Sequence, residues 1–444
     1  MHNLSITGDL KKILALTAII LLCLPMQAQK GDEIVKSGLS LGPFPALAYD
    51  ADKGFQIGGV LMLFDYGTGE NYPALDSKLY TEFSFFTKGS KMIQLRYDNR
   101  KLIPGVRICT NFRASIDKAF NFYGFNGYEM NFDATQLNPF YRYSHFEYLF
   151  KSDFIGQIAG ALSWEAGIYA SYYKLGSIDY ASINKGKAAS QIFPESMPTL
   201  YDAYKACGVV SEADADGGFS SGVRLGLLYD TRDKEGAPSS GIWAEAHVLL
   251  APFSETPFYR YSLTWRHYLP LIKDDILTFA YRFNFEGTFG SRAPFYVLPY
   301  MTFMGQRTDL EGMGGCDTAR GVLRARVVGL DQGCATAELR WRFASFTLWN
   351  QNIALGANLF SDATRAFRGL DISALPATLH EIFPLAPADV QLRGSSRERL
   401  HSTVGTGARL IINENLIVAG DLGFPLNKQD GDAPALYLGL DYLF

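Results

Sequence analysis

After its first 28 positions the sequence lacks any run of eighteen consecutive apolar residues. Since a transmembrane helix needs about 20 such residues, this absence argues against a helical membrane protein. Clusters of basic residues are also missing, and the formal net charge is −4 at pH 7. A surface for binding nucleic acid is therefore not expected.

The residue types that metal sites and nucleophilic catalysis need are few and are not grouped for those tasks. The cysteines after position 28 have no paired C-x-x-C spacing, and they are Cys109, Cys207, Cys316 and Cys334. Histidines are not spaced as metal ligands, and no convincing Ser/His/Asn group emerges. We therefore expect no enzyme, no cofactor and no metal. Cys316 and Cys334 flank one loop and leave two alternatives open, a disulfide or free thiols.

The first 28 residues follow the order of a secretory signal peptide. Lys11 and Lys12 precede a mainly apolar stretch over residues 13–26, and Ala28 ends a short segment before polar residues begin. The stretch is too short to cross a bilayer comfortably, which favours cleavage after Ala28 over a retained anchor. Bulky Leu22 precedes Cys23, which argues against lipidation at that cysteine.

Large apolar side chains alternate with polar ones along many stretches. In residues 337–343, Leu339 and Trp341 alternate with Glu338 and Arg340, and residues 435–444 alternate up to the aromatic Phe444. A soluble sandwich would have to bury these charges at a cost, whereas a barrel offers lipid on one face and a wet lumen on the other. The sequence therefore predicts an all-β fold, a transmembrane antiparallel β-barrel.

About fifteen strand candidates can be placed along the chain. Because single-chain bacterial barrels close with an even number of strands, we expect one more, near residues 296–305. Short turns such as 413–415 alternate with long links such as 306–334 and 365–400. The expected organisation is a signal peptide over 1–28, a short periplasmic lead over 29–50 and one outer-membrane barrel domain over 51–444. A soluble insertion over 177–216 is the alternative that this organisation leaves open.

Several motifs follow one another in the second half of the chain. YDTRD and then PSSG occur at a hairpin, and the residues of interest there are Asp230, Arg232, Asp233, Pro238 and Gly241. Next comes a Gly-Gly pair with Arg320 and Gly321 behind it, and then the strand AELRWRF with Glu338. The segment LFSDA carries Asp362, and the chain closes on Phe444.

In this order the motifs resemble those of the BamA/TamA superfamily of outer-membrane assembly and translocation barrels, of the surface-antigen type. The resemblance is close from about Tyr229 to the C-terminus. It implies a barrel of 16 strands whose long Arg-Gly loop folds back into the lumen. It also implies that Arg320 pairs with Asp362, with Glu338 as a second candidate, and so pins the loop. Val322 stands where the family usually has an aromatic residue, so this loop tip is expected to pack differently.

The resemblance also implies a function at the outer membrane of a Gram-negative bacterium, where the protein would assist the insertion or export of other proteins. A client strand would add at a weak seam between the first and last strands. Glycines near that edge would either ease opening or merely relieve crowding, and they are Gly420, Gly423 and Gly439.

The POTRA modules of the best-known members are not expected here. The alternative is therefore a passive or plugged pore, or a structural partner without insertase activity. Expected partners are outer-membrane lipid and either client proteins or a periplasmic protein.

Overall fold

Sixteen long strands pair in chain order into one closed antiparallel barrel in the computed structural model of the chain. The structure describes residues 34–440 apart from 51–53, 88, 137, 187, 190–191, 195–196, 274 and 306–309. The expected signal peptide and the terminal Phe444 lie outside the described residues. The predicted fold class and strand number are confirmed.

The barrel strands are numbered along the chain. They are β1 (Leu39–Asp50), β2 (Gly54–Asp65), β3 (Ser77–Phe86), β4 (Lys91–Ile103), β5 (Val106–Asn121), β6 (Arg142–Ala159), β7 (Leu162–Gly176), β8 (Gly217–Asp230), β9 (Gly241–Ala251), β10 (Phe258–Ile272), β11 (Leu277–Thr288), β12 (Asp331–Leu348), β13 (Gln351–Arg368), β14 (His401–Ile412), β15 (Leu416–Pro425) and β16 (Ala435–Leu440). Each strand pairs with the next, and β1 also pairs with β16.

The two faces of each strand differ as the alternating sequence predicts. Along β11, Arg282, Asn284 and Glu286 are buried on the lumen side, while Phe283 is 55% exposed on the outer side. Successive strand side chains point to opposite faces, so one parity meets the lumen and the other meets lipid. The buried charges of the inner wall are therefore concentrated where they can contact one another and the loop inside the barrel.

The two ends of the barrel are built differently. One end, the short-turn end, carries connections over 66–76, 104–105, 160–161, 231–240 and 413–415. The other, the long-loop end, carries connections over 122–141, 177–216, 289–330 and 369–400. The connection over 289–330 folds into the lumen and is called the lumen loop below. It contains a small two-stranded sheet, Tyr300–Met301 with Leu310–Glu311.

The remaining loops of the long-loop end pack into a cap above the lumen. Their described helices are α1 (Tyr180–Asn184), α2 (Leu200–Ala206) and α3 (Glu212–Ala215), with 3-10 turns at Gly127–Glu129, Asn138–Tyr141, Leu379–Glu381 and Lys428–Asp430. Tyr201 and Tyr204 of α2 make edge contacts with Phe122. The segment 177–216 therefore shares its apolar core with other loops of the cap. Among the described helices, none has the length and apolar character needed to cross a membrane.

Two expectations about the strands were wrong. Leu39–Asp50 forms β1, so the barrel begins inside the stretch assigned to a periplasmic lead over 29–50. The strand expected near residues 296–305 is absent from the barrel, because this segment lies in the lumen loop with Tyr296 and Phe303 buried. Buried loop residues are as apolar as strand residues, and the sequence pattern did not separate them.

Candidate functional site

The lumen loop is fastened to the inner wall by cationic side chains. Lys151 Nζ and Arg224 Nη1 both donate to the carbonyl oxygen of Phe303, at 2.9 and 2.7 Å. Arg260 Nη1 donates to the carbonyl oxygen of Val297 at 2.8 Å. All three cationic side chains are buried. Because charged donors make the stronger hydrogen bonds, they fix the backbone of the loop across the lumen.

Arg320 forms the centre of the second group of contacts. Its Nε and Nη2 donate to Oδ2 and Oδ1 of Asp362 at 2.9 and 3.0 Å, which is the bidentate geometry a guanidinium favours. Its Nη1 donates to Oε1 of Glu338 at 3.1 Å and to Oδ2 of Asp421 at 3.2 Å. The guanidinium carbon lies 3.4 Å from the ring centroid of Phe360. The structure thus brings together Arg320, Asp362 and Glu338.

Two further arginines balance the charge of this cluster. Arg340 Nε donates to Oε2 of Glu338 at 2.8 Å, and Arg409 Nη2 donates to Oδ2 of Asp421 at 2.9 Å. With Arg320 and Asp362 included, three guanidinium groups face three carboxylates. A balanced set matters here because removing one partner from a buried ion pair leaves a charge without compensation. We refer to these six residues as the arginine cluster.

The tip of the lumen loop rests on the last two strands. A methyl group on Gly423 of β15 would lie 2.3 Å from the carbonyl oxygen of Arg320, so this position tolerates no side chain without movement. Gly321 has a φ of 106°, which favours glycine, and its N–H donates to the hydroxyl oxygen of Tyr437 at 3.3 Å. The conformational freedom of Gly321 and the small size of Gly423 therefore allow the loop to reach β16.

The seam between β1 and β16 closes the barrel. Within the described residues, two pairs join these strands, Tyr49 with Leu438 and Asp50 with Tyr437. Twelve pairs join β1 to β2. Tyr437 therefore takes part in the seam through its backbone register and contacts the loop tip through its hydroxyl group. The tip of the lumen loop and the barrel closure meet at this residue.

The predicted hairpin motif lies at the short-turn end, between β8 and β9. Asp230 accepts from Arg232 Nε and Nη2 at 2.9 and 2.8 Å. Asp233 accepts from the backbone N–H groups of Ser239 and Ser240 at 2.9 and 3.1 Å, which folds the turn back on itself. Gly241 has a φ of 97° and lies against Thr231, where a methyl group would meet the carbonyl oxygen at 2.2 Å. Pro238 lies within the same turn. The motif shapes the turn.

The tip of this turn spans the opening of the barrel. Lys234 Nζ lies 2.6 Å from Oδ2 of Asp275 and 3.4 Å from Oε2 of Glu414, in two other turns. Glu235 pairs with Arg100 and, at 3.0 Å, with Arg107, which belong to β4 and β5. Strands β4 and β5 lie on one side of the hairpin in the ring, and the β14–β15 turn lies on the other. The hairpin is therefore an ionic bar across the short-turn end.

Burial and ion pairing shift the pKa values of the acidic residues of this bar in opposite directions. Burial raises the pKa of Glu235, but Arg107 and Arg100 outweigh it and hold that pKa well below its ordinary value of 4.5. Burial likewise raises the pKa of Glu414, and Arg342 and Lys234 bring it below 4.5. Groups with a lowered pKa stabilise the folded arrangement above their ordinary pKa, and this stabilisation is lost as the pH falls below it.

We expect the bar to loosen under acid and in the variant Glu235→Gln. Above about pH 4.5 the pairing contributes its full stabilisation. Below that pH the stabilisation declines, and protonation at the lowered pKa of the paired acids removes the attraction to Arg100 and Arg107. Hydrogen exchange of the amides in residues 231–240, corrected for intrinsic rates, should rise as the pH falls, and at neutral pH in the variant. The control is Glu212→Gln, an exposed acid at the opposite end. Equal protection of the hairpin in all three proteins would contradict the assignment.

Other candidate chemistry has no counterpart in the described part of the chain. No disulfide joins Cys109, Cys207, Cys316 and Cys334 there. No group of three or more His, Cys, Asp or Glu residues is placed to hold a metal within that part. The pentapeptide Gly218–Gly222 has the spacing Gly-x-Ser-x-Gly, but it lies within strand β8, and Ser220 is buried. The strand-to-helix turn that exposes a nucleophilic serine in that motif is not formed.

A barrel of sixteen antiparallel strands, with an apolar outer face and a charged loop in its lumen, defines a transmembrane β-barrel of the outer-membrane class. Residues 110–437 match the model of the Omp85 superfamily domain. The chain belongs to the Omp85 superfamily. The protein is therefore located in the outer membrane of a Gram-negative bacterium, with the short-turn end in the periplasm and the long-loop end at the cell surface.

Two solved structures illustrate the similarity of the fold. A crystal structure of BamA from Haemophilus ducreyi lacking POTRA domains 1-3 has a TM-score of 0.52 and 14% identity, and the match covers 91% of this chain and 70% of that one. CdiB from Escherichia coli has a TM-score of 0.50 and 10% identity, with 93% and 66% of the two chains covered. A comparison with the sequences of curated proteins gave no significant match.

Proposed function

We propose that the protein assists the insertion or export of other proteins by admitting a client strand at the β1–β16 seam. The observation that carries this proposal is that, among the residues the structure describes, two residue pairs join β1 to β16 and twelve join β1 to β2. An incompletely paired strand edge offers main-chain hydrogen bonds to an added strand. The family supports the coarse role, because its members act in protein insertion or secretion.

The prolines of β1 support an open edge. Pro43 and Pro45 lie two residues apart, so their backbone nitrogens face the same side of the strand, and neither carries an N–H. Within sheets, proline is confined to edge strands, where the missing donor has no ladder to complete. Since β1 pairs with β2 along its whole length, we infer that both missing donors face the seam. This chemistry limits how firmly β16 can pair with β1.

The lumen loop would keep the seam closed when no client is present. Its tip bonds to Tyr437 through Gly321 and to Asp421 through Arg320, so the loop holds both closing strands from inside. Release of the tip would free β16 to move. An export signal over residues 1–28 fits this location. We assign no catalytic chemistry to the arginine cluster.

The second candidate function is a plugged barrel without insertase activity. The observation that favours it is that the barrel is obstructed twice, by the lumen loop and by the ionic bar formed at the short-turn end. Such a barrel would serve as a regulated pore or as a structural partner of a periplasmic protein. Both candidates share the same fold and differ in whether the seam has to open.

The outer-membrane proteome after depletion of the protein separates the two candidates. An assembly or export role predicts the selective loss of a few barrels or surface proteins, which would be its clients. A plugged pore or structural partner predicts an unchanged set of outer-membrane proteins. Re-expression of the wild-type chain should restore the lost proteins and provides the control. An unchanged proteome would overturn the insertion role.

A further inference from the structure

The lipid-facing side of the barrel carries a hollow of about 540 Å³ that extends from β7 and β8 across to β12 and β13, where it lies near the cell-surface end of the strands. Its floor there consists of small residues, Gly333 and Ala335 on β12 and Ala363 on β13. Aromatic residues stand around this floor, and they are Phe283, Phe285 and Phe367. Small residues between large ones leave a depression of the kind that acyl chains fill.

An arginine lies at the edge of this apolar hollow. Arg365 lies in β13 between outward-facing Ala363 and Phe367, whereas Thr364 and Ala366 on the other parity are buried in the barrel wall. The register places Arg365 beside Gly333. Arg365 is half-buried, and its guanidinium carbon lies 5.7 Å from the centroid of the Phe367 ring. An outward arginine in a barrel strand is destabilising in lipid unless its charge is compensated.

Arg365 has no carboxylate partner among the described residues. The Nε atom of Arg365 is buried and has no hydrogen-bond acceptor among the described residues. A polar hollow of about 220 Å³ adjoins it, lined among others by Arg397, Glu129 and Glu398. Glu398 is already engaged, since it accepts from the N–H groups of Tyr128 and Ala366 at 2.9 and 3.0 Å.

The second acid of the polar hollow is engaged as well. Glu129 accepts from Asn126 Nδ2 at 3.1 Å. The position of Arg365, three residues before β13 ends at Arg368, is that of the outer leaflet. The site therefore combines an apolar depression with a guanidinium group that has no ion-pair partner among the described residues.

We propose that this surface binds a phosphorylated acyl lipid of the outer leaflet. The acyl chains would lie over Gly333, Ala335 and Ala363, and a phosphate group would accept hydrogen bonds from Arg365, with Arg397 nearby. A guanidinium group matches a phosphate in planar, bidentate geometry. The occupant has to carry both parts, because Gly333, Ala335 and Ala363 are apolar and the guanidinium group of Arg365 is charged. This lipid site is independent of the proposed insertion role.

The test titrates lipid A into the purified barrel in detergent and compares it with dephosphorylated lipid A and with inorganic phosphate. Loss of one charge-assisted contact should make Arg365→Gln bind lipid A about tenfold more weakly, while dephosphorylated lipid A should bind both proteins alike. Ala335→Phe, which fills the floor, should weaken both lipids. The control is Arg292→Gln, an exposed arginine at the same end, which should bind like the wild type.

Three results would overturn the lipid site. One is equal affinity of wild type and Arg365→Gln for lipid A. Another is wild-type binding of dephosphorylated lipid A as tight as that of lipid A, which would reduce the hollow to ordinary contact with the bilayer. The third is binding of inorganic phosphate as tight as that of lipid A, which would leave the apolar floor without a role.

Discussion

Arg320→Ala is expected to lower the free energy of unfolding of the barrel by about 3–5 kcal/mol, the usual cost of removing one partner from a buried ion pair. Asp362 would lose both bonds of its bidentate contact. Glu338 and Asp421 would each lose one guanidinium contact and keep those from Arg340 and Arg409. The tip of the lumen loop would also lose its ion pairs with β12, β13 and β15. We therefore expect a lower midpoint of heat-induced unfolding on gels and a higher conductance in planar bilayers.

Two variants serve as controls for Arg320→Ala. Arg320→Lys keeps the charge but cannot make the bidentate contact, so its stability should fall between those of wild type and alanine variant. Arg292→Ala removes an exposed arginine from the same loop and should behave like the wild type. If Arg320→Ala changed neither the unfolding midpoint nor the conductance, the assignment of the loop as a pinned plug would be wrong.

Gly423→Ala is expected to displace the tip of the lumen loop. The added methyl group would lie 2.3 Å from the carbonyl oxygen and 2.5 Å from the carbonyl carbon of Arg320, and backbone atoms cannot yield as a flexible side chain can. Overpacking of this kind costs about 1–3 kcal/mol. Conductance should rise, and the hydroxyl group of Tyr437 should lose its contact with Gly321. Hydrogen exchange of the amides in the lumen loop would report the displacement.

The matched control is Gly439→Ala on β16. This glycine is near the same seam, and a methyl group there would have no atom within 4 Å. Wild-type conductance and exchange are expected for it. Similar effects of the two substitutions would mean that the closing strands respond to any added side chain and that the Arg320 contact is not the cause.

Strand parity was the part of the site that the sequence could provide. Glu338 alternates with Leu339 and Asp362 with Ser361, so their lumen-facing positions followed from the two-residue period alone. The predicted pairing with Arg320 then needed only the resemblance. Asp421 was missed, although it is the single acid in the apolar strand β15, and the same parity argument could have found it.

Contacts that depend on tertiary packing could not be predicted. The ring of Phe360 under Arg320 and the hydroxyl group of Tyr437 at the loop tip look like ordinary barrel aromatics in the sequence. The glycines near the seam had been assigned either to easing opening or to relieving crowding. For Gly423 the structure gives a different reason, close approach of the loop backbone, whereas Gly439 has open space around it.

Strand β1 was missed for a physical reason. Pro43 and Pro45 cannot donate to a ladder and argue against a central strand, and β1 is tolerated because it lies at the seam. The two prolines that obscured β1 in the sequence also limit its pairing with β16. The ionic bar was missed as a whole, because Lys234 and Glu235 pair with residues far away in the chain.

The most direct test of the account is a disulfide lock across the seam, in a chain whose native cysteines are replaced by serine. Tyr49→Cys with Leu438→Cys joins β1 to β16 at a paired position, and Leu41→Cys with Leu63→Cys joins β1 to β2 as the control. The measurement is the amount of client proteins in the outer membrane when only the locked protein is present. The account predicts that the seam lock depletes the clients, that a reductant restores them and that the control lock has no effect. Normal client levels with a fully formed seam lock would contradict the account.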